Sequence, residues 1–343
     1  MEQLANTLYV MTHGAYVRLD HETVKVEVEG TTQIQVPLHH LGGIICCGNI
    51  LVSPGVIHKC AEDGRFVVML DGIGRFKARV VGPTSGNVLL RCAQHEALHD
   101  KEQTASIARN IVAGKIRNAR SVLLRGARET KDLKDQTSLK KAATRLGQAV
   151  TALDQQKNLD VIRGIEGEAA RTYFAAIEHL ILVDRDIFRP NGRTRRPPRD
   201  HINALLAFLY ALILSDCVAA AEGVGLDPQV GFLHAIRPGR PALALDLMEE
   251  FRSLLGDRVA FTLINRRQIT PKHFEEKPGG SVYLNDTGRR KVAVAYQKRK
   301  QEKLTHPLLE RSKPIALIPH IQARLLARTL RGDLEQYPPF IYR

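Results

Sequence analysis

Short hydrophobic runs rich in β-branched residues, separated by Gly and Asp, fill the first 81 residues of the chain. In one run Val24, Val26 and Val28 alternate with Lys25 and Glu27, which is the period of two expected of a half-buried strand. The pattern predicts strands at residues 8–10, 15–19, 24–28, 32–36, 66–70 and 76–81. The beginning of the chain is therefore expected to be rich in β-structure.

One short helix and one tight turn are expected among these strands. Ser53 supplies a capping hydroxyl and Pro54 suits a first helical turn, so residues 56–62 are predicted to be helical. Gly72-Ile73-Gly74 lies between two predicted strands with no helix after it, so we assign it to a hairpin rather than to a nucleotide-binding loop. The segment Gly82-Pro83-Thr84-Ser85-Gly86 breaks the pattern, and we place a domain boundary there.

Beyond this boundary the hydrophobic period lengthens from two to about 3.6, the period of an α-helix. Leu139, Ala143 and Leu146, for example, are spaced to fall on one helix face. Helices are predicted at residues 166–182, 202–221, 241–255, 289–303 and 315–331. The predicted fold class is two-domain α+β, with a β-rich N-terminal domain over residues 1–86 and a larger all-α domain over residues 87–343.

Charge is distributed unevenly between the two predicted domains. The chain carries 50 Lys and Arg against 36 Asp and Glu, a formal charge of +14, yet residues 1–86 hold 7 basic and 8 acidic residues. The excess lies after Gly86, which predicts a polyanion-binding surface there, with nucleic acid as the leading partner. An anionic membrane is the other candidate. We find neither an apolar run of about 18 residues nor a signal peptide, so a cytoplasmic protein that binds no membrane is expected.

The five cysteines lack the spacing of a metal or redox site. They are Cys46, Cys47, Cys60, Cys92 and Cys217, an odd number without a C-x-x-C pair. We interpret them as reduced and mostly buried thiols, because free cysteine usually behaves as a small hydrophobe. The adjacent pair Cys46-Cys47 leaves a redox-active role open.

Two acidic segments and one histidine are the candidates for chemistry. Glu166 lies near Gly164, in what we interpret as the acidic start of a helix, while Asp246 and Glu249 are three residues apart and share a face of a later helix. Together with His234 they would form an oxygen-rich site with one imidazole, which suits Mg²⁺ or Mn²⁺ and phosphoryl transfer. Spacing alone does not decide which acid points inward, and the alternative is that these acids solvate an outer helix face.

A basic segment over residues 184–200 interrupts the helical pattern. Its arginines lie around Pro and Gly residues, which predicts an extended loop. We take Arg193, Arg195, Arg196 and Arg199 as candidates for contacts with DNA phosphates, and a solvated surface loop is the alternative. The sequence contains no G-x-S-x-G elbow and no G-x-x-x-x-G-K-[ST] loop, so these two common catalytic schemes have no support.

Several longer motifs resemble the spacer-acquisition proteins of the CRISPR-associated Cas-one (Cas1) family, and most closely its type I-C branch. The resemblance is carried by residues 164–171, 195–206, 231–234 and 245–252, and it includes the tail around Gln322 and Tyr337-Pro338-Pro339-Phe340. It runs nearly from end to end, and the motifs are jointly very specific. It implies a homodimeric, divalent-metal-dependent DNA endonuclease and integrase, whose N-terminal domain serves dimerisation and partner docking.

The resemblance also implies an assembly and a set of site residues. Two such dimers flank a dimer of Cas-two (Cas2) in a heterohexamer and hold a short DNA duplex, whose 3′-hydroxyl ends attack the CRISPR repeat by transesterification. The metal ligands of the family correspond to Glu166, His234 and Glu249. The last ligand is Asp in many relatives, so Glu249 is longer by one methylene. Asp246 matches a further catalytic acid, which either supports the cation or helps to bind a second one.

Two alternative functions remain at this point. One is a metal nuclease that cuts branched or single-stranded nucleic acid, which would share the same site and differ in its product. The other is a non-catalytic DNA-binding scaffold, which would keep the basic surface and tolerate the loss of Glu166 and His234.

Overall fold

Sheets predominate before residue 81 of the chain, and helices predominate after residue 87. The computed structural model describes residues 6–74, 76–80, 82, 88–190, 192, 194 and 197–342. Among these, all strands of the two larger sheets precede residue 81, and all α-helices but one follow residue 87. Most of the predicted boundary segment lies outside the described residues, so the division at Gly86 stays a prediction.

Eight strands form two four-stranded sheets in the first region. Their bounds are β1 Asn6–Val10, β2 Tyr16–Asp20, β3 Thr23–Val28, β4 Thr31–Pro37, β5 Leu41–Cys47, β6 Leu51–Val52, β7 Phe66–Leu70 and β8 Phe76–Val80. One sheet has the order β1-β5-β7-β8, with β5 parallel to both β1 and β7, and the other has the order β4-β3-β2-β6. All six predicted strands occur, with ends within two residues of the prediction.

Strand β5 was not predicted because it is buried on both faces. Ile44 and Cys46 point into the core between the two sheets, whereas Ile45 and Cys47 point into the larger core that continues among the helices. A strand buried on both sides is a continuous apolar run without alternation, which periodicity cannot distinguish from other buried segments.

The predicted short helix and hairpin are confirmed. Helix α1 (Pro54–Glu62) begins with Pro54 at its first turn, and Ser53 Oγ accepts a hydrogen bond from Val56 N at 3.3 Å. The turn at Gly72 and Gly74 connects β7 to β8, which pair antiparallel.

Four of the five cysteines are buried, as predicted, and Cys92 is exposed. Burial raises the pKa of both Cys46 and Cys47 to about 12, so the adjacent thiols stay protonated at neutral pH. A protonated thiol is a poor nucleophile, which argues against a reactive pair.

The second region is built mainly of helices around one core. Their bounds are α2 Val88–His99, α3 Lys101–Glu129, α4 Leu133–Leu153, α5 Leu159–Ala176, α6 Arg185–Phe188, α7 His201–Val224, α8 Ala242–Glu249, α9 Arg258–Asn265, α10 Asp286–Gln301 and α11 Ile318–Leu330. Helix α3 packs against α4 and α5, and α7 packs against α8 and α11. The core among these helices also contains Val68 and Leu70 of β7.

The prediction that this region is all-α is wrong, because it contains two hairpins. Strands β9 (Phe274–Lys277) and β10 (Ser281–Leu284) pair antiparallel, as do β11 (Lys303–His306) and β12 (Arg311–Pro314). Each strand has four residues, which is too short for an alternating pattern to stand out. Gly279 and Gly280 both have positive φ at the first turn, and this pair was the available signal.

Two of the five predicted helices differ from the structure by more than three residues at an end. Helix α5 begins at Leu159 rather than near Gly164, because Asn158 caps it by accepting hydrogen bonds from the backbone of Asp160 and Val161. The helix predicted at residues 241–255 ends at Glu249, and a π-helical turn over Arg252–Asp257 connects it to α9. The predicted loop over residues 184–200 contains the short helix α6.

Helix α7 is long and apolar enough to cross a membrane by length and composition, contrary to the expectation that no such run exists. However, 61% of its most apolar window is buried inside the fold. Its contacts with α8 and α11 are those of the central helix of a helical core.

Candidate active site

Helix α8 carries Asp246 and Glu249, and Glu250 follows at its end. The structure shows which of these acids point inward. Asp246, Glu249 and Glu250 are all buried, because α8 lies between α3 and α7. The helix is short and apolar, so its acids are surrounded by protein rather than by water. A buried carboxylate requires hydrogen bonds or a cation, and the three acids meet this requirement in different ways.

Asp246 holds the loop that carries His234. Its Oδ2 accepts hydrogen bonds from the backbone N of Phe232 at 2.6 Å and of Leu233 at 2.9 Å. Its Oδ1 accepts from the backbone N of His234 at 2.9 Å and lies 2.6 Å from His234 Nδ1. Both oxygens are therefore occupied, which fits a residue that orients His234 better than a residue that binds a cation directly.

The glycine of the G-F-x-H motif is needed for this approach. A Cβ at Gly231 would lie 2.6 Å from the carbonyl carbon of Ala242 and 2.7 Å from Asp246 Oδ2. Any side chain at this position would push the loop away from α8. The motif thus combines close packing at Gly231 with a fixed imidazole at His234.

Orientation by Asp246 leaves the other ring nitrogen of His234 available. A carboxylate at Nδ1 keeps a proton on that nitrogen, so Nε2 is the ring nitrogen that can face a cation. His234 Nε2 lies 3.7 Å from Glu249 Oε1. The imidazole therefore turns Nε2 toward the glutamate.

Glu249 is the central acid of the cluster. Its side chain is 3% exposed; Oε1 lies 3.0 Å from Arg252 Nη2, and Oε2 lies 2.7 Å from Lys115 Nζ. Burial by itself raises the pKa of Glu249, but Arg252, Lys115 and His234 outweigh burial and hold this pKa at about 2. The Oε2 atom is buried and makes no hydrogen bond of good geometry. Glu249 is thus a charged carboxylate with coordinating capacity left.

Glu166 faces Glu249 across the ammonium of Lys115. Capping at Asn158 starts α5 early, so Glu166 lies two turns inside the helix, where α5 packs against α3. Lys115, on α3, forms ion pairs with both Glu166 and Glu249. The structure therefore brings together Glu166, His234 and Glu249.

The donor set of this cluster fits a hard divalent cation. As the side chains stand, no three His, Cys, Asp or Glu residues in the described part of the chain meet closely enough to ligate a metal. Two carboxylates, the Nε2 atom of an imidazole and a buried oxygen without a hydrogen bond of good geometry are nevertheless ligands of the type that Mg²⁺ and Mn²⁺ accept. The ammonium of Lys115 lies between the two carboxylates, where such a cation would have to bind.

Sequence reasoning missed several residues of this site. Tyr173 and Tyr210 donate hydrogen bonds to Asp257 at 2.8 and 2.6 Å, and the Arg252 guanidinium lies 5.0 Å from the centre of the Tyr210 ring. These groups line a cavity of about 40 Å³ beside Glu249 and Lys115. Arg252 follows Glu249 by three residues, so its position was detectable, whereas Lys115 is one lysine on a long amphipathic helix and carries no sequence signal.

Comparison with known proteins identifies the family. A profile described as CRISPR associated protein Cas1 matches residues 8–298. The protein named CRISPR-associated endonuclease Cas1 1 of Moorella thermoacetica is 59% identical over 343 residues, which cover the whole of both chains. The chain belongs to the Cas1 family. A second Cas1 endonuclease, from Chlorobaculum tepidum, is 44% identical over the full length of both chains.

Solved structures show the same fold. The Cas1 protein of Thermotoga maritima superimposes with a TM-score of 0.81 at 23% identity, covering 95% of this chain and 97% of that one. A casposase bound to its integration product gives 0.83 at 23% identity, covering 98% and 94%. A Cas6-RT-Cas1–Cas2 complex gives 0.83 at 22% identity, covering 99% of this chain and 36% of the other.

The basic segment of residues 184–200, called the arginine loop from here on, lies only partly among the described residues. Arg193, Arg195 and Arg196 lie outside the described residues, so their contacts with DNA stay a prediction. Arg199 is exposed, and its backbone N donates to Thr194 Oγ1 at 3.1 Å.

A second basic surface was not expected from the sequence. It surrounds a cavity of about 800 Å³ between α3, α9 and α10. Its charged lining is Arg125, Arg258, Arg266, Arg290, Lys291, Lys298, Arg299 and Glu302. The basic residues of this lining are far apart in sequence. The composition therefore includes their charge, but it does not show that they share one surface.

Proposed function

We propose that this Cas1 family member is a divalent-metal-dependent DNA endonuclease and integrase of CRISPR adaptation, which inserts short foreign DNA into the CRISPR repeat array. The observation that supports this proposal is the convergence of Glu166, Glu249 and His234 Nε2 at one largely buried cluster. Its full-length relative at 59% identity is named an endonuclease. A casposase of the same fold is bound to an integration product.

The residues divide the work of the reaction. Glu166, Glu249 and His234 hold the cation, Asp246 fixes the imidazole, and Arg252 pairs with the first oxygen of Glu249. When bound, Mg²⁺ or Mn²⁺ polarises a phosphoryl oxygen and activates the attacking hydroxyl. Integration exchanges one phosphodiester bond for another, so it requires neither ATP nor a covalent link to the protein. In this proposal Asp246 positions His234 and is not itself a ligand.

The proposal includes the partners and the place of action. The protein acts as a homodimer and assembles with a Cas2 dimer into a heterohexamer, in the manner of a type I-C system. Residues 1–86 serve dimerisation and partner docking, and residues 87–343 carry catalysis and DNA binding. The spacer precursor and the CRISPR repeat are the DNA substrates, and the work takes place in the cytoplasm. The solved complex of a Cas1 with Cas2 supports the partner.

Three substitutions in the cluster test the function. Glu166→Ala, His234→Ala and Glu249→Gln remove one cation ligand each and leave the basic surfaces intact. We expect joining of a 3′-hydroxyl duplex to a repeat-bearing plasmid, measured with Cas2 and Mg²⁺ or Mn²⁺, to fall by about a thousandfold or more. Affinity for the duplex stays near that of the wild type. Glu249→Asp, which restores the residue common in relatives, keeps partial activity.

The matched control is Glu168→Ala. Glu168 lies two residues from Glu166 on α5, is 67% exposed and pairs with Arg171, so its loss should not alter joining. Saturating Mn²⁺ should also stabilise the wild type by about 2.7 kcal/mol at 100 times Kd, and should not stabilise Glu166→Ala to this extent. Wild-type joining by the ligand variants would support the scaffold alternative. Cleavage without joining by the wild type would support the plain nuclease.

A further inference from the structure

Lys115 has an unusual place for a lysine in an active site. Its Nζ lies 2.7 Å from Glu249 Oε2 and also pairs with Glu166, so the ammonium bridges the two carboxylates proposed to hold the cation. The side chain of Lys115 is 17% exposed, which means that it reaches the cluster from α3 through a largely closed environment.

The two basic residues at Glu249 are held differently. Arg252 lies 3.0 Å from Glu249 Oε1, and its guanidinium lies over the Tyr210 ring. It is anchored by an ion pair and by a cation–π contact. Lys115 pairs with the other oxygen, Oε2, at 2.7 Å. A single ammonium on a flexible stem is easier to displace than an anchored guanidinium.

An ammonium and a divalent cation cannot share this position. Both require the negative charge of the same two carboxylates, and like charges this close repel each other strongly in a partly buried site. A cation bound by Glu166 and Glu249 must therefore move Lys115 away. Without that cation, two facing carboxylates repel each other unless another positive charge lies between them.

We infer that Lys115 is a built-in counter-ion, which holds Glu166 and Glu249 together in the metal-free protein and is displaced when the divalent cation binds. This inference rests on the proposed function, because it takes the two glutamates as cation ligands. Its consequence is that the protein binds the metal by exchange of one cation for another. The affinity for the metal is thus set below the value that the ligands alone would give.

The test is titration of the metal-free, full-length protein with Mn²⁺ in a calorimeter. Lys115→Met keeps the length of the side chain and removes its charge, and we expect it to bind Mn²⁺ at least about tenfold more tightly than the wild type. Lys115→Arg keeps the charge and should bind no more tightly than the wild type. Unchanged or weaker Mn²⁺ binding by Lys115→Met would overturn the inference.

Arg171→Met is the matched control for the general loss of positive charge. Arg171 lies on α5, as Glu166 does, and its guanidinium pairs with Glu168 at the surface. We expect its effect on Mn²⁺ affinity to be within a fewfold. An equal gain in Arg171→Met and Lys115→Met would mean that the general loss of positive charge, and not displacement of Lys115, is responsible.

Stability provides a second readout. Lys115→Met should melt at a lower temperature than the wild type without metal, and Mn²⁺ should raise its melting temperature by more than it raises that of the wild type. If Lys115→Met fails to fold without metal, Lys115→Gln, which retains a hydrogen-bond donor, takes its place in both measurements. Absence of Mn²⁺ binding in the wild type would instead refute the proposed function, whereas wild-type binding without a gain in Lys115→Met refutes this inference alone.

Discussion

Asp246 and His234 illustrate how much a single residue contributes through its neighbours. All four contacts of the Asp246 carboxylate involve the loop from Phe232 to His234, and one of them reaches the imidazole itself. An acid at this position therefore fixes three features at once: the path of the loop, the orientation of the ring and the tautomer.

Asp246→Asn separates these features, because an amide has the same shape but only one acceptor oxygen. The amide nitrogen has to face either the backbone N–H groups or His234 Nδ1, and in the second case it places the imidazole proton on Nε2. We expect Mn²⁺ affinity, measured by calorimetry, to fall by about 10- to 100-fold, and the melting temperature to fall as well, since either orientation of the amide leaves a buried N–H group without an acceptor. If Asp246→Asn bound Mn²⁺ as tightly as the wild type, Asp246 would not orient His234, and the tautomer of His234 would not affect metal binding.

Motifs in the sequence suggested residues for the site but not their contacts. Glu166, His234 and Glu249 stay predicted cation ligands, and the structure shows that they lie together, whereas spacing left open which acid of α8 points inward. The structure shows that Asp246, Glu249 and Glu250 all do. Lys115 was missed because its role depends on the approach of α3 to α5 and α8, which are far apart in sequence. A local sequence pattern predicts which face of its helix a residue lies on, but not which residue of another helix it contacts.

At the scale of elements, the C-terminal tail holds the end of α8. Glu250 accepts hydrogen bonds from Tyr337 Oη at 2.6 Å, from Phe340 N at 2.7 Å and from Gln322 Nε2 at 3.0 Å. Asn118 of α3 donates to the carbonyl groups of both Glu250 and Phe340. Residues 337–340 were part of the family resemblance but had no assigned role. The structure shows that they contact Glu250, the residue after Glu249.

Glu250→Ala should be strongly destabilising, since it leaves the Tyr337 hydroxyl and the backbone N of Phe340 without their acceptor in a buried place, whereas Gln322 Nε2 keeps two other acceptors. We expect the free energy of unfolding, from urea titration, to fall by about 3 kcal/mol. Burial raises the pKa of Glu250 to about 8 against the lowering effect of Tyr337, Phe340 and Gln322, so Glu250→Gln resembles the protonated form and should cost about 1 kcal/mol. Glu335→Ala, at an exposed acid of the same tail, should lie within about 0.5 kcal/mol of the wild type. Equal losses for Glu250→Ala and Glu335→Ala would contradict the anchoring role.

The same scale explains the errors in the predicted elements. The helix predicted at residues 241–255 has a continuous apolar pattern, yet it changes to a π-helical turn after α8. Within that turn Asp257 accepts the hydroxyl groups of Tyr173 and Tyr210. The π-helical turn coincides with these tertiary hydrogen bonds, and the hydrophobic period of the segment cannot predict them. Strand β5 and the two late hairpins were missed because their patterns are either uniformly apolar or very short.

At the scale of the whole molecule, we propose two groups of basic residues as contacts for DNA. One is the arginines of residues 193–199, of which only Arg199 is among the described residues, and the other lines the basic cavity between α3, α9 and α10. Contacts with phosphates carry no sequence information, so both surfaces should contribute to affinity for any duplex. They differ in place, since the cavity is assembled from three helices and the loop is one continuous segment.

Salt dependence measures these contributions separately. The triple variant Arg193→Ala, Arg195→Ala, Arg196→Ala and the triple variant Arg290→Ala, Lys291→Ala, Lys298→Ala each remove three charges, and the last three residues are exposed at the cavity. Removing one phosphate-binding cation lowers the slope of log affinity against log salt concentration by about 0.9, so either triple is expected to flatten the slope by up to about 2.7.

The control for this measurement is Arg171→Ala, whose guanidinium pairs with Glu168 on the surface of α5 and should leave the slope unchanged. Preference for one duplex sequence over another should also stay the same in both triples, because positioning contacts do not read bases. A slope unchanged by the loop triple would make residues 193–196 a solvated surface loop, and a slope unchanged by the cavity triple would remove that cavity from the DNA path. If the sextuple variant reduces the slope by the sum of the two triples, one duplex contacts both surfaces at once. If the two surfaces were separate binding sites, the measured slope would be that of the tighter site alone, and the two reductions would not add.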